Sequence, residues 1–168
     1  MNENPMKEIR IEKVTLNIGC GDDKHKIEKA QDLLKRLTSA KTVVTKSRKR
    51  STFGVAKGRP LGVKLTLRDE KAEQFFSSIL KSVENKVRDS QVDNGGNINF
   101  GVKEYIDLPG VRYVPEIGML GMDVAVTLER PGYHVTRRRV RKALIGKTHK
   151  INKEDAIGWL KKRGVKIE

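Results

Sequence analysis

The sequence predicts a single-domain α+β protein, and three observations carry that prediction. Large apolar residues occupy every second position in three segments, at 14–18, 61–67 and 122–128, the period of half-buried strands. Apolar residues three and four apart recur at 27–37, 72–83 and 156–160, as on the buried stripe of a helix. The two patterns follow one another irregularly, with no repeat and no Pro- or Ser-rich linker, and 168 residues make one domain spanning 1–168.

The first strand holds Val14, Leu16 and Ile18, with Thr15 and Asn17 between them. Ile9 and Ile11 sit in the opposite phase, which predicts a bulge or break near Glu12. Gly19-Cys20-Gly21 turns the chain, and Asp22 or Asp23 caps a helix whose stripe is Ile27, Ala30, Leu34 and Leu37. Residues 42–46 make a short strand, followed by a Gly- and Lys-rich connection. Leu61, Val63, Leu65 and Leu67 then alternate with Gly62, Lys64, Thr66 and Arg68. Asp69 is the expected N-cap of the strongest helix, with Ala72, Phe75, Phe76, Ile79, Leu80, Val83 and Val87 on one face. Asp93-Asn94-Gly95-Gly96 reads as a turn, 97–105 as a strand and 107–121 as a long ordered loop. Met122, Val124, Val126 and Leu128 alternate as a strand that Pro131-Gly132 ends. Asn152 caps a last helix with Ala156, Ile157 and Leu160 inward, and Gly164 closes it.

The net charge is +15, and its distribution says more than its size. Residues 33–68 hold eleven Lys or Arg and no acid, residues 130–153 hold nine and no acid, and the rest of the chain nets −5. One basic run is ordinarily a solvated face. Two acid-free stretches in one small domain instead predict a polyanion-binding surface, because clustered cations displace counterions from a phosphate backbone. A membrane surface would call for a basic amphipathic helix, whereas the first basic stretch reads as strand and loop. No run has the length of a signal peptide or a membrane span, and the lone Cys20 has no disulfide partner. A cytoplasmic protein is expected.

Three candidate binding objects follow. If the even residues of the first strand pack under helices, Thr15 and Asn17 point away, and by the same logic so do Lys64, Thr66 and Arg68. Antiparallel pairing would gather these rows on one open, acid-free sheet face fit for phosphates, 2′-hydroxyls and base edges. The ordinary alternative is a solvated face. The second object is a basic loop at 47–60, holding Arg48, Lys49, Arg50, Lys57 and Arg59 with Gly54 and Gly58, and expected to be mobile and protruding. Its Phe53 has two possible fates, stacking on a base or packing on its own domain. The third is a basic segment at 131–153 carrying Arg137, Arg138, Arg139, Arg141 and Lys142. That segment lacks apolar periodicity, and its run at 137–142 is expected to be ordered mainly by RNA. Enzymatic readings are weak. Gly19-Cys20-Gly21 lacks the third glycine of a dinucleotide fingerprint, position 24 being Lys, and no phosphate loop is present. His25, His134 and His149 are scattered, and Cys20 lacks a visible base. No catalytic residue, metal, cofactor or small-molecule substrate is expected.

At these residues a family resemblance emerges. Val14-Thr15-Leu16-Asn17-Ile18-Gly19-Cys20-Gly21, Thr45-Lys46-Ser47-Arg48-Lys49, the run from Gly58 through Lys64-Leu65-Thr66-Leu67-Arg68, the run from Gly96 through Glu104, and Gly121-Met122-Asp123-Val124 resemble the universal 5S-rRNA-binding protein family five of the large ribosomal subunit. These motifs stand in the family's order. The resemblance implies an antiparallel sheet with helices on one face and an open basic face that binds 5S rRNA and other large-subunit rRNA. It implies 5S contact by Asn17, Thr45, Lys46, Arg48, Thr66 and Arg68, to which the reading of the sheet face adds Thr15 and Lys64. It also implies contact with P-site tRNA by the loop, here Arg50, Phe53, Lys57 and Arg59. The function of the insert does not carry over from the shared motifs, and an additional RNA contact by Arg137, Arg138, Arg139 and Arg141 is expected from its charge alone. Further implied partners are a neighbouring 5S-binding ribosomal protein and a small-subunit head protein, for which residues 107–118 are the first candidate. The insert at 131–153 is absent from bacterial-type members, so the chain is similar to the archaeal or eukaryotic branch. A free-standing RNA regulator and a nucleotide-dependent enzyme remain the other function classes.

Overall fold

A computed structural model of the chain describes residues 4–50, 52 and 54–167. Strand β1 (Arg10–Gly19) is central in a five-stranded antiparallel sheet of order β2-β3-β1-β6-β5, with β2 at Val43–Lys46, β3 at Pro60–Leu67, β5 at Ile98–Val102 and β6 at Met122–Glu129. Helices α1 (Lys24–Thr38), α2 (Asp69–Ser82) and α4 (Lys153–Lys162) bury their apolar stripes against one face of that sheet. A helical turn, α3, spans His134–Arg137. The two-residue strands β4 (Lys86–Val87) and β7 (Lys166–Ile167) pair in parallel and tie the C-terminal segment to the chain after α2.

Alternation decides which side of the sheet is covered. Val14, Leu16, Ile18, Val63, Leu65, Leu67, Val124, Val126 and Leu128 all enter one core with Ile27, Ala30, Leu33, Leu34, Ala72, Phe76, Ile79, Leu80, Ala156 and Leu160. Trp159 closes the far end: its ring stacks on Phe76 at 5.8 Å between centroids, and its Nε1 donates to the Ile9 carbonyl at 3.0 Å. The phase break near Glu12 is a bulge, since the β1–β6 register shifts between Ile11 and Lys13. Asp23 caps α1 by accepting from the amides of His25 and Lys26, and Gly164 at φ +81° ends the turn after α4.

Three local expectations need correcting. Asp69 is not the N-cap of α2. Arg68 holds that position in extended conformation without a side-chain cap bond, because β3 runs unbroken to Leu67 and the chain turns one residue earlier. Asp69 and Glu70 instead fill the first turn, where the helix dipole favours acids. Residues 97–105 are strand only over Ile98–Val102, because Tyr105 leaves the sheet to be buried, its hydroxyl accepting the Val114 amide at 3.0 Å. Val87 lies beyond α2, in β4.

Candidate nucleic-acid interface

The register places the polar rows together. Thr15 stands opposite Thr66 and Asn17 opposite Lys64 across β1–β3, while Thr45 stands opposite Gly62 across β2–β3. Lys13, Thr15, Asn17, Thr45, Lys64 and Thr66 are all exposed or half-buried, and no helix covers them. Lys46, the last residue of β2, and Arg48 just beyond it continue the surface, both exposed. Lys46, Arg48 and Lys64 make no ion pair among the described residues, so their charge faces solvent. Hydroxyls, an amide and unpaired ammonium groups on a flat sheet can grip phosphate and sugar oxygens without deep pockets.

The whole face is not acid-free, which corrects the expectation drawn from β1 and β3. Because β1 is central, its row is flanked on the other side by β6, which sets Asp123 opposite Asn17 and Glu129 opposite Arg10. The open face is therefore most basic over β2, β3 and β1, while β6 adds two carboxylates, Glu129 paired with arginines and Asp123 exposed. A polyanion is favoured over the first part and disfavoured near Asp123.

At the bulged end of β1 stands a group that pattern reasoning missed. The Glu12 side chain is only 6% exposed, and three cations surround it: Arg137 Nη2 at 2.7 Å, Arg68 Nη1 at 3.6 Å and Lys13 Nζ at 3.6 Å. Glu129, 13% exposed, takes Arg10 at 2.9 Å and Arg137 Nη1 at 3.3 Å. Arg137 thus spans both carboxylates. A buried carboxylate is tolerated only when paired in this way. Arg68 and Arg137, both read as RNA contacts, are in the first place partners of Glu12. The phase break marked the bulge, but nothing local marked these distant partners. Lys13 was findable, being in phase with Thr15 and Asn17.

The β2–β3 loop closes at its base through Ser47 N to Arg59 O at 2.8 Å and Gly58 N to Ser47 O at 2.9 Å. Arg59 also pairs with Asp22 at 2.6 Å, so it belongs to the base, while Arg50 and Lys57 stand exposed. Phe53 lies outside the described residues. The expectation that the run at 137–142 is ordered mainly by RNA is corrected at its start, where Arg137 is paired with Glu12 and Glu129, and the chain also holds both ends of the insert. Arg130, buried, pairs with Asp155 at 3.0 Å. The Tyr133 hydroxyl donates to the His149 carbonyl and accepts the Ile151 amide, and His149 Nε2 lies 2.9 Å from the Pro131 carbonyl. Farther out, Arg138 Nε donates to the Arg141 carbonyl at 2.7 Å. Arg139 and Arg141 remain exposed and Arg138 half-buried.

Burial, with Asp23 nearby, pushes the Cys20 thiol above its ordinary value, which disfavours the nucleophilic thiolate. Among the described residues no three His, Cys, Asp or Glu are gathered as metal ligands, and no helix is long and apolar enough to cross a membrane.

Comparison with known proteins points the same way. The family model for ribosomal protein L5 matches residues 4–55, and that for the ribosomal L5P family C-terminus matches residues 60–159. The chain is 49% identical over 160 residues to the large ribosomal subunit protein uL5 of Sulfurisphaera tokodaii, covering 94% of this chain and 90% of that one. It is 47% identical to the uL5 of Nanoarchaeum equitans, covering 98% and 99%, and 44% identical to that of Archaeoglobus fulgidus, covering 99% and 94%.

Proposed function

Because the chain belongs to the ribosomal protein L5 family, structural components of the large ribosomal subunit, we propose that it anchors 5S rRNA through the basic half of its open sheet face. One observation carries the reading. The register aligns Thr15 with Thr66, Asn17 with Lys64 and Thr45 with Gly62 on the uncovered side, bringing hydroxyls, an amide and a lysine together with no acid among these paired positions. Thr15, Asn17, Thr45, Lys46, Arg48, Lys64 and Thr66 grip the 5S backbone and sugars, with Arg68 at the margin. Asp123, opposite Asn17 on β6, disfavours extension of the RNA beyond that half.

Two finer contacts extend the proposal. Arg50 and Lys57 at the outer part of the β2–β3 loop reach P-site tRNA, with Arg59 holding the loop's base. Residues 107–118 supply the contact to a small-subunit head protein. They are anchored by Leu108, Ile117 and the Tyr105 hydroxyl, yet they expose Tyr113, a residue type enriched at protein interfaces.

A titration of labelled 5S rRNA with Asn17→Ala plus Lys64→Ala tests the central claim. Affinity is expected to fall by about tenfold or more, since two contacts of 1 kcal/mol or so are lost. Melting should change little, because surface substitutions ordinarily shift stability by no more than about 0.5 kcal/mol. Unchanged affinity overturns the assignment of this face.

A further inference from the structure

We propose that Glu12 is the positioning residue that locks the basic insert against the sheet and so makes it a second arm of the RNA site. The inference rests on the RNA-binding reading above, but its geometry is independent of it. The β1 bulge carries Glu12 off the regular pleat into a nearly closed position between the end of β3 and α3. Its nearest partner, Arg137, is the last residue of α3, and the same guanidinium reaches Glu129 on β6. One side chain of the insert is therefore clamped by two carboxylates on neighbouring strands, Glu12 buried and Glu129 half-buried. Directly after it come Arg138, Arg139 and Arg141, and the Arg138–Arg141 bond folds that run back on itself. Fixing Arg137 fixes where this run begins.

The surrounding cleft, about 280 Å³, is lined by three arginines, Arg10, Arg68 and Arg137, and by four carboxylates, Glu12, Asp69, Glu73 and Glu129. Its lining carries no excess of positive charge, so it is a strut and not a phosphate pocket. That gives the lock a distinctive sign. A carboxylate beside an RNA surface, acting by charge alone, weakens RNA binding, and its neutralisation strengthens it. A carboxylate that positions cations does the reverse.

Glu12→Gln in the full chain separates the two. Binding of a 5S rRNA transcript is expected to weaken by about threefold or more, the coupling usual for groups in one ion-pair network. In a chain already carrying Arg138→Gln, Arg139→Gln and Arg141→Gln, adding Glu12→Gln should cost nothing further. Hydrogen exchange without RNA supplies the structural readout: amides in 134–143 should exchange faster in the variant, while those in 14–18 stay protected. Unchanged or tighter binding overturns the proposal, as does an equal loss in the insert-neutralised chain or exchange that rises throughout β1. If the wild-type chain fails to bind 5S rRNA, the RNA reading falls. The exchange data then still decide whether Glu12 holds the insert.

Discussion

Gly62 shows how one residue shapes the candidate face. It sits mid-strand in β3, flanked by Gly19 of β1 and Thr45 of β2, where a side chain would ordinarily strengthen a sheet. A Cβ at this position would stand 2.5 Å from the Ile18 carbonyl oxygen and 3.3 Å from Thr45 Oγ1. The first contact is with backbone, which cannot swing aside. Gly62→Ala is therefore expected to destabilise by about 1–3 kcal/mol, as overpacking does, which for a chain of this size lowers the melting temperature by roughly 2–12 °C. Thermal unfolding measures this, and a wild-type melting temperature would show that β1 and β3 separate at no cost. Thr66 and Arg68 illustrate the opposite lesson. They share a strand end and a sequence signal, yet Thr66 faces solvent opposite Thr15 while Arg68 leans on buried Glu12. Truncating Arg68 removes a structural partner as well as a charge.

Among the elements, the β2–β3 loop is separable from the sheet that presents it. Its base is held by the Ser47–Arg59 and Gly58–Ser47 backbone bonds and by Arg59–Asp22, so the sheet's hold on the loop is made at its base. Replacing 51–57 by a Gly-Ser linker is expected to leave 5S affinity within about threefold, less than 1 kcal/mol. Segments that must order on binding give back roughly 1–2 kcal/mol per residue of backbone entropy, so they add little to an anchor. Reconstituted subunits carrying the linker should hold P-site tRNA less firmly. Loss of 5S binding would place the loop in the anchor. The elements themselves were largely legible in the sequence, because strand and helix periods are local: the alternation of 61–67 and 122–128, the α1 and α2 stripes and the phase break at Glu12 all correspond to what formed. What stayed hidden was non-local. No pattern near Glu12 points to Arg137, none near Arg59 points to Asp22, and the two-residue ribbon of β4 and β7 is too short to leave a period. The same blindness let the face look acid-free, since which strand flanks β1 on its other side is a matter of topology.

For the molecule as a whole, net charge and usable charge differ, and salt dependence can tell them apart. The chain carries +15, but Arg10, Lys13, Arg59, Arg68, Arg130, Arg137 and Arg163 each hold a carboxylate within the fold. The cations left facing outward beside the open face are fewer: Lys46, Arg48 and Lys64 on the sheet, with Arg139 and Arg141 on the insert. Each neutralised phosphate contributes roughly −0.7 to −0.9 to the slope of log affinity against log salt. A site of about five such contacts gives a slope of roughly −3.5 to −4.5, whereas a diffuse polycation using its whole net charge would approach about −10 or steeper. The expected result for 5S rRNA is the shallower value, because the paired arginines keep their carboxylates when RNA arrives. Neutralising Arg139 and Arg141 should then reduce its magnitude by roughly 1.5. A flat response would remove electrostatics as the basis of binding. A slope near the diffuse limit would mean that RNA engages the basic surface at large, with no defined site on the sheet.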